Sequence, residues 1–295
     1  MKRLLPILFL ALAAAAPPKK MTPTEVVSAA PAAAWRTIAA DDLLVMTLEG
    51  GGRVVIQLAP AFAPVHVANI RKFAAANYWQ GAAVYRVQDN YVAQWGINEA
   101  KRALSAGAVA HPPAEYTRSA RGLAVTPLGS PDPYARSAGF WRGWPVALYM
   151  DGTASLTHCY GAVGVGRDMH PDTGTGGELY AIIGHATRQL DRNIAIVGRV
   201  VSGIEQLSAL PRGSEAMGFY KQGFVAKPIV GMTLASALPP ADRPSFQYLD
   251  TASASFAHYL RVRKNRNDDF YRVAAGGVDL CNVSVPVRPA PGRNG

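Results

Sequence analysis

The sequence predicts a mainly β, loop-rich fold, one large domain or two small ones in 295 residues. Three observations carry that expectation. A hydrophobic fraction of 49% supplies a real core and rules out wholesale disorder. The 28 glycines and 22 prolines supply many turns. Charged residues reach only 17%, below the roughly 25% of soluble domains, which argues against a coiled coil or helical array. The two cysteines, Cys159 and Cys281, lie far apart without a CxxC pairing, so a zinc finger and a disulfide-dense miniprotein are both excluded. One disulfide between them stays open. The net charge of +10 is scattered, and the densest basic run, at 261–266, is followed by Asp268 and Asp269. That run reads as a solvated strand end or turn, and no nucleic-acid partner is expected.

At the N-terminus, Lys2-Arg3 and an uncharged run over 4–16 have the pattern of a secretory signal, taken as residues 1–20. The run is too short for a membrane span, so no stable membrane insertion is expected once it is removed. Export, to a bacterial periplasm, would put both thiols in an oxidising compartment, where a Cys159–Cys281 bridge would tie the C-terminal segment to the middle of the chain. Residues 21–40, rich in Pro, Ala and small polar side chains in their first part, read as a linker.

Apolar runs at 43–48 and 53–58 flank Glu49-Gly50-Gly51-Gly52 and predict a hairpin. Pro64 can open a helix, and Val67, Ile70, Phe73 and Ala74 share one face, so a helix follows over about 64–76. Strands are expected at 83–87 and 91–94 around a turn at 88–90, then an irregular insertion over about 97–158. Further strands fall at 161–165, 180–183 and 194–200. Ser202-Gly203-Ile204-Glu205 has capping-box spacing ahead of a second helix that Pro211 stops. Residues 213–295 form an extension of no assigned role, within which 256–263 alternates and pairs with 278–285 as strands.

The motifs of cofactor and covalent chemistry are missing. The six histidines never fall two within a helical turn, no GxSxG elbow occurs, and Thr173-Gly174-Thr175-Gly176-Gly177 lacks the Gly-Lys ending of a phosphate loop. No metal or cofactor is expected. The conspicuous residue is Arg86, a cation within the apolar strand Val84-Tyr85-Arg86-Val87, which has either a function or a place on the solvent face. Simple alternation puts it on one face with Val84.

The order of segments from about 43 to 210 resembles the cyclophilin-type peptidyl-prolyl cis-trans isomerases. Arg53 to Leu58, the turn Ala59-Pro60 and the helix carrying Asn69 resemble that family's opening. Tyr78-Trp79-Gln80-Gly81, Val84-Tyr85-Arg86-Val87 and Tyr91-Val92-Ala93-Gln94 resemble its next pieces. Gly161 to Arg167, Gly177 to Ile182, Leu190-Asp191 and Ile196 to Val200 continue the match in order. The sequence departs from the family at Tyr85, Trp95, Arg167, Gln189 and Ile194, and in the length of 97–158 and of the C-terminal extension.

The resemblance implies a closed eight-stranded antiparallel barrel over 41–212, capped by two helices, with the substrate groove on its outer wall. It implies Arg86 as the catalytic arginine. It further implies that Tyr91, Val92, Leu179, Tyr180 and Leu190 line a proline pocket, and that Gln94, Gly166, Arg167 and Glu178 contact the substrate. The expected partners are proline-containing segments of folding proteins. An isomerase for exported proteins is the expected function; the alternative is a binding or chaperone module of the same fold with little turnover.

Overall fold

The computed structural model describes residues 20–97 and 102–292. The expected signal segment lies outside them up to residue 19, and so does part of the start of the insertion. Among the described residues the first element is helix α1 (Pro23–Ser28), where the Thr22 side chain accepts from the Glu25 backbone and Glu25 caps the Thr22 backbone in return. This corrects the expectation of a linker over 21–40. Thr22, Pro23 at the first helical position and Glu25 form a capping box, and Val26 is buried. Strand β1 (Trp35–Thr37) follows.

The expected hairpin forms as β2 (Leu43–Leu48) and β3 (Arg53–Leu58), in register from Leu43 opposite Gln57 to Thr47 opposite Arg53. Its turn requires glycine, since Gly50 and Gly51 both adopt positive φ, at 83° and 88°. Helix α2 (Pro64–Ala75) turns Val67, Ile70 and Phe73 inward. Next come β4 (Ala83–Val87) and β5 (Val92–Gly96). The insertion is no string of loops. It carries β6 (Arg118–Ser119), β7 (Thr126–Pro127), β8 (Ser137–Trp141), β9 (Trp144–Leu148) and β10 (Thr153–Leu156), in an antiparallel sheet of order β6-β10-β9-β8-β7.

The barrel resumes with β11 (Ala162–Val165), β12 (Leu179–Ile182) and β13 (Ile196–Ser202), then the short helix α3 (Glu205–Ser208). The capping box expected there does not form. Ile204 occupies the cap position without a side-chain hydrogen bond, while Gly203 passes so close to Arg53 that a Cβ would lie 2.0 Å from its carbonyl oxygen. Beyond it lie β14 (Lys227–Leu234), β15 (Phe246–Leu249), helix α4 (Ala254–Lys264) and β16 (Val287–Pro289).

Eight strands close a barrel in the order β11-β12-β5-β4-β14-β2-β3-β13. The domain therefore ends beyond 212, because β14 fills the gap between β4 and β2. The barrel interior is packed with side chains, among them Met46, Ile56, Trp95, Val163 and Leu179, and α2 covers it with Ile70 and Phe73.

A second core assembles from three distant segments. Val26 and Trp35 of the N-terminal piece, Leu128 and Phe140 of the insertion, and Phe256, Leu260, Leu280 and Val283 of the extension pack together. Here 256–263 is helix α4 rather than a strand. Ser253 caps it, and Phe256, Tyr259 and Leu260 share one helical face. The basic run Arg261, Arg263 and Lys264 accordingly lies in a last helical turn, where cations suit the carbonyl end of the dipole. Strands β1, β15 and β16 make a small sheet beside this core, and the Cys159–Cys281 disulfide joins it to the barrel.

Candidate functional site

A groove of about 960 Å³ runs along the outer wall of β4, β5, β11 and β12. Its polar centre depends on an irregularity in β4. Val84 pairs with Trp95 and Arg86 with Gln94, so Tyr85 is an extra residue in the ladder. The bulge breaks alternation: Val84 enters the barrel core, whereas Tyr85 and Arg86 both reach the groove. Arg86 and Val84 thus lie on opposite faces, not on the one face that simple alternation predicts.

A hydrogen-bonded chain fixes these side chains. The Glu178 carboxylate accepts from the Tyr85 hydroxyl at 2.6 Å, and that oxygen in turn accepts from Gln94 Nε2 at 2.6 Å. The Gln94 carbonyl oxygen is thereby turned toward Arg86 and accepts from its Nη1 at 2.8 Å. Arg86 also donates from Nη2 to Gln88 at 2.7 Å and from Nε to the Met217 carbonyl at 2.7 Å. Among the described residues these bonds leave one N–H on each Nη for a ligand. Burial lowers the Arg86 pKa, and burial followed by the Glu178 bond raises that of Tyr85. The Tyr91 and Phe219 rings lie 5.8 Å and 5.4 Å from the guanidinium.

Beside this polar centre lies an apolar floor. Val92, Ala162, Tyr180 and Ile182 form one buried cluster with Tyr91 and Ile194 against it, and Leu190 adds to the groove lining. Of the residues expected from sequence, Arg86, Tyr91, Val92, Gln94, Gly166, Arg167, Glu178, Tyr180 and Leu190 all line the groove. Leu179 does not. It follows the period-two alternation of β12 and points into the barrel core, leaving Tyr180 outside. Arg167 and Glu178 do not pair with each other: Arg167 donates to the carbonyls of Asn193 and Asp168.

Sequence reading missed Met217 and Phe219, which line the groove from the extension. Phe219 bridges Arg86 on the edge of β4 that β14 leaves unpaired beyond Val84, and its ring stacks on Tyr85 at 6.0 Å. No local signal ties them to a strand some 130 positions earlier. Tyr85 was legible only as a departure from a family pattern.

The model of the family described as cyclophilin type peptidyl-prolyl cis-trans isomerase/CLD matches residues 43–230. The chain belongs to the cyclophilins. The span includes β4, β5, β11 and β12 with every groove residue named above, and its activity is cis-trans isomerisation of peptidyl-prolyl bonds. Among solved structures, cyclophilin AquaCyp293 from Hirschia baltica is similar with a TM-score of 0.69 and 24% identity, over 86% of this chain and 93% of that one. That likeness in fold extends beyond the family span into the added segments. A Cryptosporidium parvum cyclophilin type isomerase aligns with a TM-score of 0.40 and 12% identity, over 65% of this chain and 98% of that one. No curated protein matches. Among the described residues, no helix is long and apolar enough to cross a membrane.

Proposed function

We propose that this cyclophilin isomerises Xaa-Pro bonds of exported proteins during their folding, with Arg86 as its catalytic residue. The observation that carries the reading is the Arg86 guanidinium, held at three of its N–H groups beside an apolar floor. Amide resonance gives the peptide bond a barrier of roughly 18–20 kcal/mol. At the twisted transition state the nitrogen lone pair is localised and accepts a hydrogen bond that the planar ground state cannot. A proline ring seated on Val92, Tyr180 and Leu190 would place that nitrogen and the neighbouring carbonyl beside the guanidinium. Its donors are already oriented, so little reorganisation accompanies the reaction. Gln94, Gly166 and Arg167 stand along the groove where a substrate backbone would run.

Export is supported by the signal-like start and by the Cys159–Cys281 disulfide, a bond that persists in oxidising compartments such as a bacterial periplasm. The test is the cis-to-trans rate of a short Xaa-Pro reporter peptide with the full oxidised chain and with Arg86→Ala. Loss of one preorganised donor group predicts a fall in kcat/KM of about 10²-fold or more. An unchanged rate in Arg86→Ala would remove Arg86 from the mechanism. A folded wild type that binds proline peptides without accelerating them would make the protein a binding module.

A further inference from the structure

Tyr180 forms part of the groove floor, yet its hydroxyl is directed away from the groove into a buried polar chain that the mechanism above does not use. The hydroxyl lies 3.0 Å from His158 Nε2, and the two ring planes are nearly parallel, 14° apart. His158 is fully buried, and its Nδ1 lies 2.9 Å from Asp191 Oδ1, which also accepts from the His158 backbone N–H at 2.9 Å. The second Asp191 oxygen accepts from Arg188 Nε, and Arg188 continues to Asp132 of the insertion at 2.9 Å and 3.2 Å.

This chain has a direction. A carboxylate oxygen only accepts, so the Asp191 contact places the proton of a neutral imidazole on Nδ1. Nε2 is then an acceptor, and the Tyr180 hydroxyl donates to it. Arg188 is anchored at the far end: burial alone would lower its pKa, but Asp132 and Asp191 together raise it. The strand opposite is shaped for the same hydroxyl. Gly164 pairs with Tyr180, and a Cβ at that position would come within 2.3 Å of the hydroxyl oxygen. Removing that side chain from β11 and placing an acceptor below it both serve one ring orientation.

We propose that His158 is a positioning residue for substrate binding: it holds the Tyr180 ring as the floor of the proline pocket, and Asp191 and Arg188, from the connection between β12 and β13, brace it and are themselves tied to Asp132 of the insertion. The proposal rests on the isomerase reading of the groove. Its consequence is that the insertion, although it adds no side chain to the floor, sets how tightly the floor grips proline.

The test compares Tyr180→Phe, His158→Gln and His158→Asn in the full oxidised chain. Kd for a short peptide with a central Ala-Pro is measured by calorimetry, alongside kcat and KM. Tyr180→Phe removes only the donated hydroxyl and should raise KM and Kd about fivefold with kcat within about twofold, the size of one neutral hydrogen bond. A glutamine at 158 can present an acceptor near the place of Nε2 and should stay close to wild type. An asparagine at 158 can keep only the Asp191 contact and should match Tyr180→Phe. The double variant Tyr180→Phe/His158→Asn should be no worse than either alone.

Unchanged KM and Kd in Tyr180→Phe would overturn the proposal. So would equal losses in the glutamine and asparagine variants that track their melting temperatures, the outcome for a residue that only supports the fold. Because Kd is read without turnover, an inactive wild type would refute the isomerase reading while the order of Kd values still decided the role of His158.

Discussion

Breaking the Cys159–Cys281 bond perturbs the joint between the two cores. The cysteines are 122 residues apart, so the bond closes a loop that spans the last barrel strands and most of the extension. With the chain-entropy expression for loop closure, a loop of that length stabilises the folded state by about 5 kcal/mol at 25 °C. The segments it joins are also packed directly, with Leu280 and Val283 in the second core, so the folded state should survive without the bond. The assay is guanidinium unfolding of the oxidised protein, the reduced protein and a Cys159→Ser/Cys281→Ser variant, followed by both near- and far-ultraviolet circular dichroism. A loss of about 3–5 kcal/mol in both uncrosslinked forms is expected, with a steeper denaturant dependence as the unfolded chain expands. A loss below about 1 kcal/mol would show that constraint of the unfolded chain is not what the bond contributes. Separation of the two spectroscopic transitions only in the uncrosslinked forms would show that the bond couples the cores.

Glu115 accepts from the backbone N–H groups of Val65 and His66 and from the His66 ring, at 2.8, 3.0 and 2.7 Å. Burial pushes its carboxyl up, but these bonds together hold it below its ordinary value of 4.5. The resulting stability is present above that value and is lost as pH falls through the lower folded value, so Glu115→Gln should flatten the decline in thermal stability as the pH is lowered below 4.5. An equally steep acid decline in the variant would place the acid sensitivity elsewhere. Gly184→Ala would bring a Cβ within 2.2 Å of the Asn90 carbonyl carbon, beside the groove turn, and should cost about 1–3 kcal/mol in chemical unfolding. Thr22→Ala removes the cap of α1 and should cost about 1 kcal/mol, measured the same way, if that helix is part of the cooperative fold. A chain ended after residue 212 lacks β14 and should show no cooperative thermal transition.

Where the sequence carried regular local patterns, the fold was legible in it. The glycine turn between β2 and β3 and the apolar face of α2 are each set by residues within one element, and both formed as expected. Strand β14 was not legible, because Pro228 and Gly231 interrupt it and Val230 is exposed, leaving no strand-like period. In α4, Phe256, His258, Leu260 and Val262 satisfy alternation as well as Phe256, Tyr259 and Leu260 satisfy a helical face; only the Ser253 cap favours the helix. The site shows the same division. Arg86, Val92, Gln94 and Tyr180 could be placed by strand order, whereas Leu179 was misassigned when its neighbour took the outward position. The bulge at Tyr85 and the arrival of Met217 follow from three-dimensional packing, which no window of sequence encodes.

The polar chain across the groove explains how a changed residue at position 85 is accommodated. A tyrosine hydroxyl there both donates and accepts, so it can join the Glu178 carboxylate to the Gln94 amide, and the negative end at Glu178 sets the sense of every bond up to Arg86. The Met217 carbonyl completes the set from the other side of β4, where the extension lies against the strand's free length. The guanidinium is therefore oriented partly by a segment that arrives after β13, and the floor residue Tyr180 is braced by one that arrives before β11. Barrel closure by β14 depends on the same extension, since the chain reaches β14 through Met217 and Phe219. Closure of the barrel and completion of the groove therefore share one segment, which leads into the strand that seals the one and supplies a wall of the other.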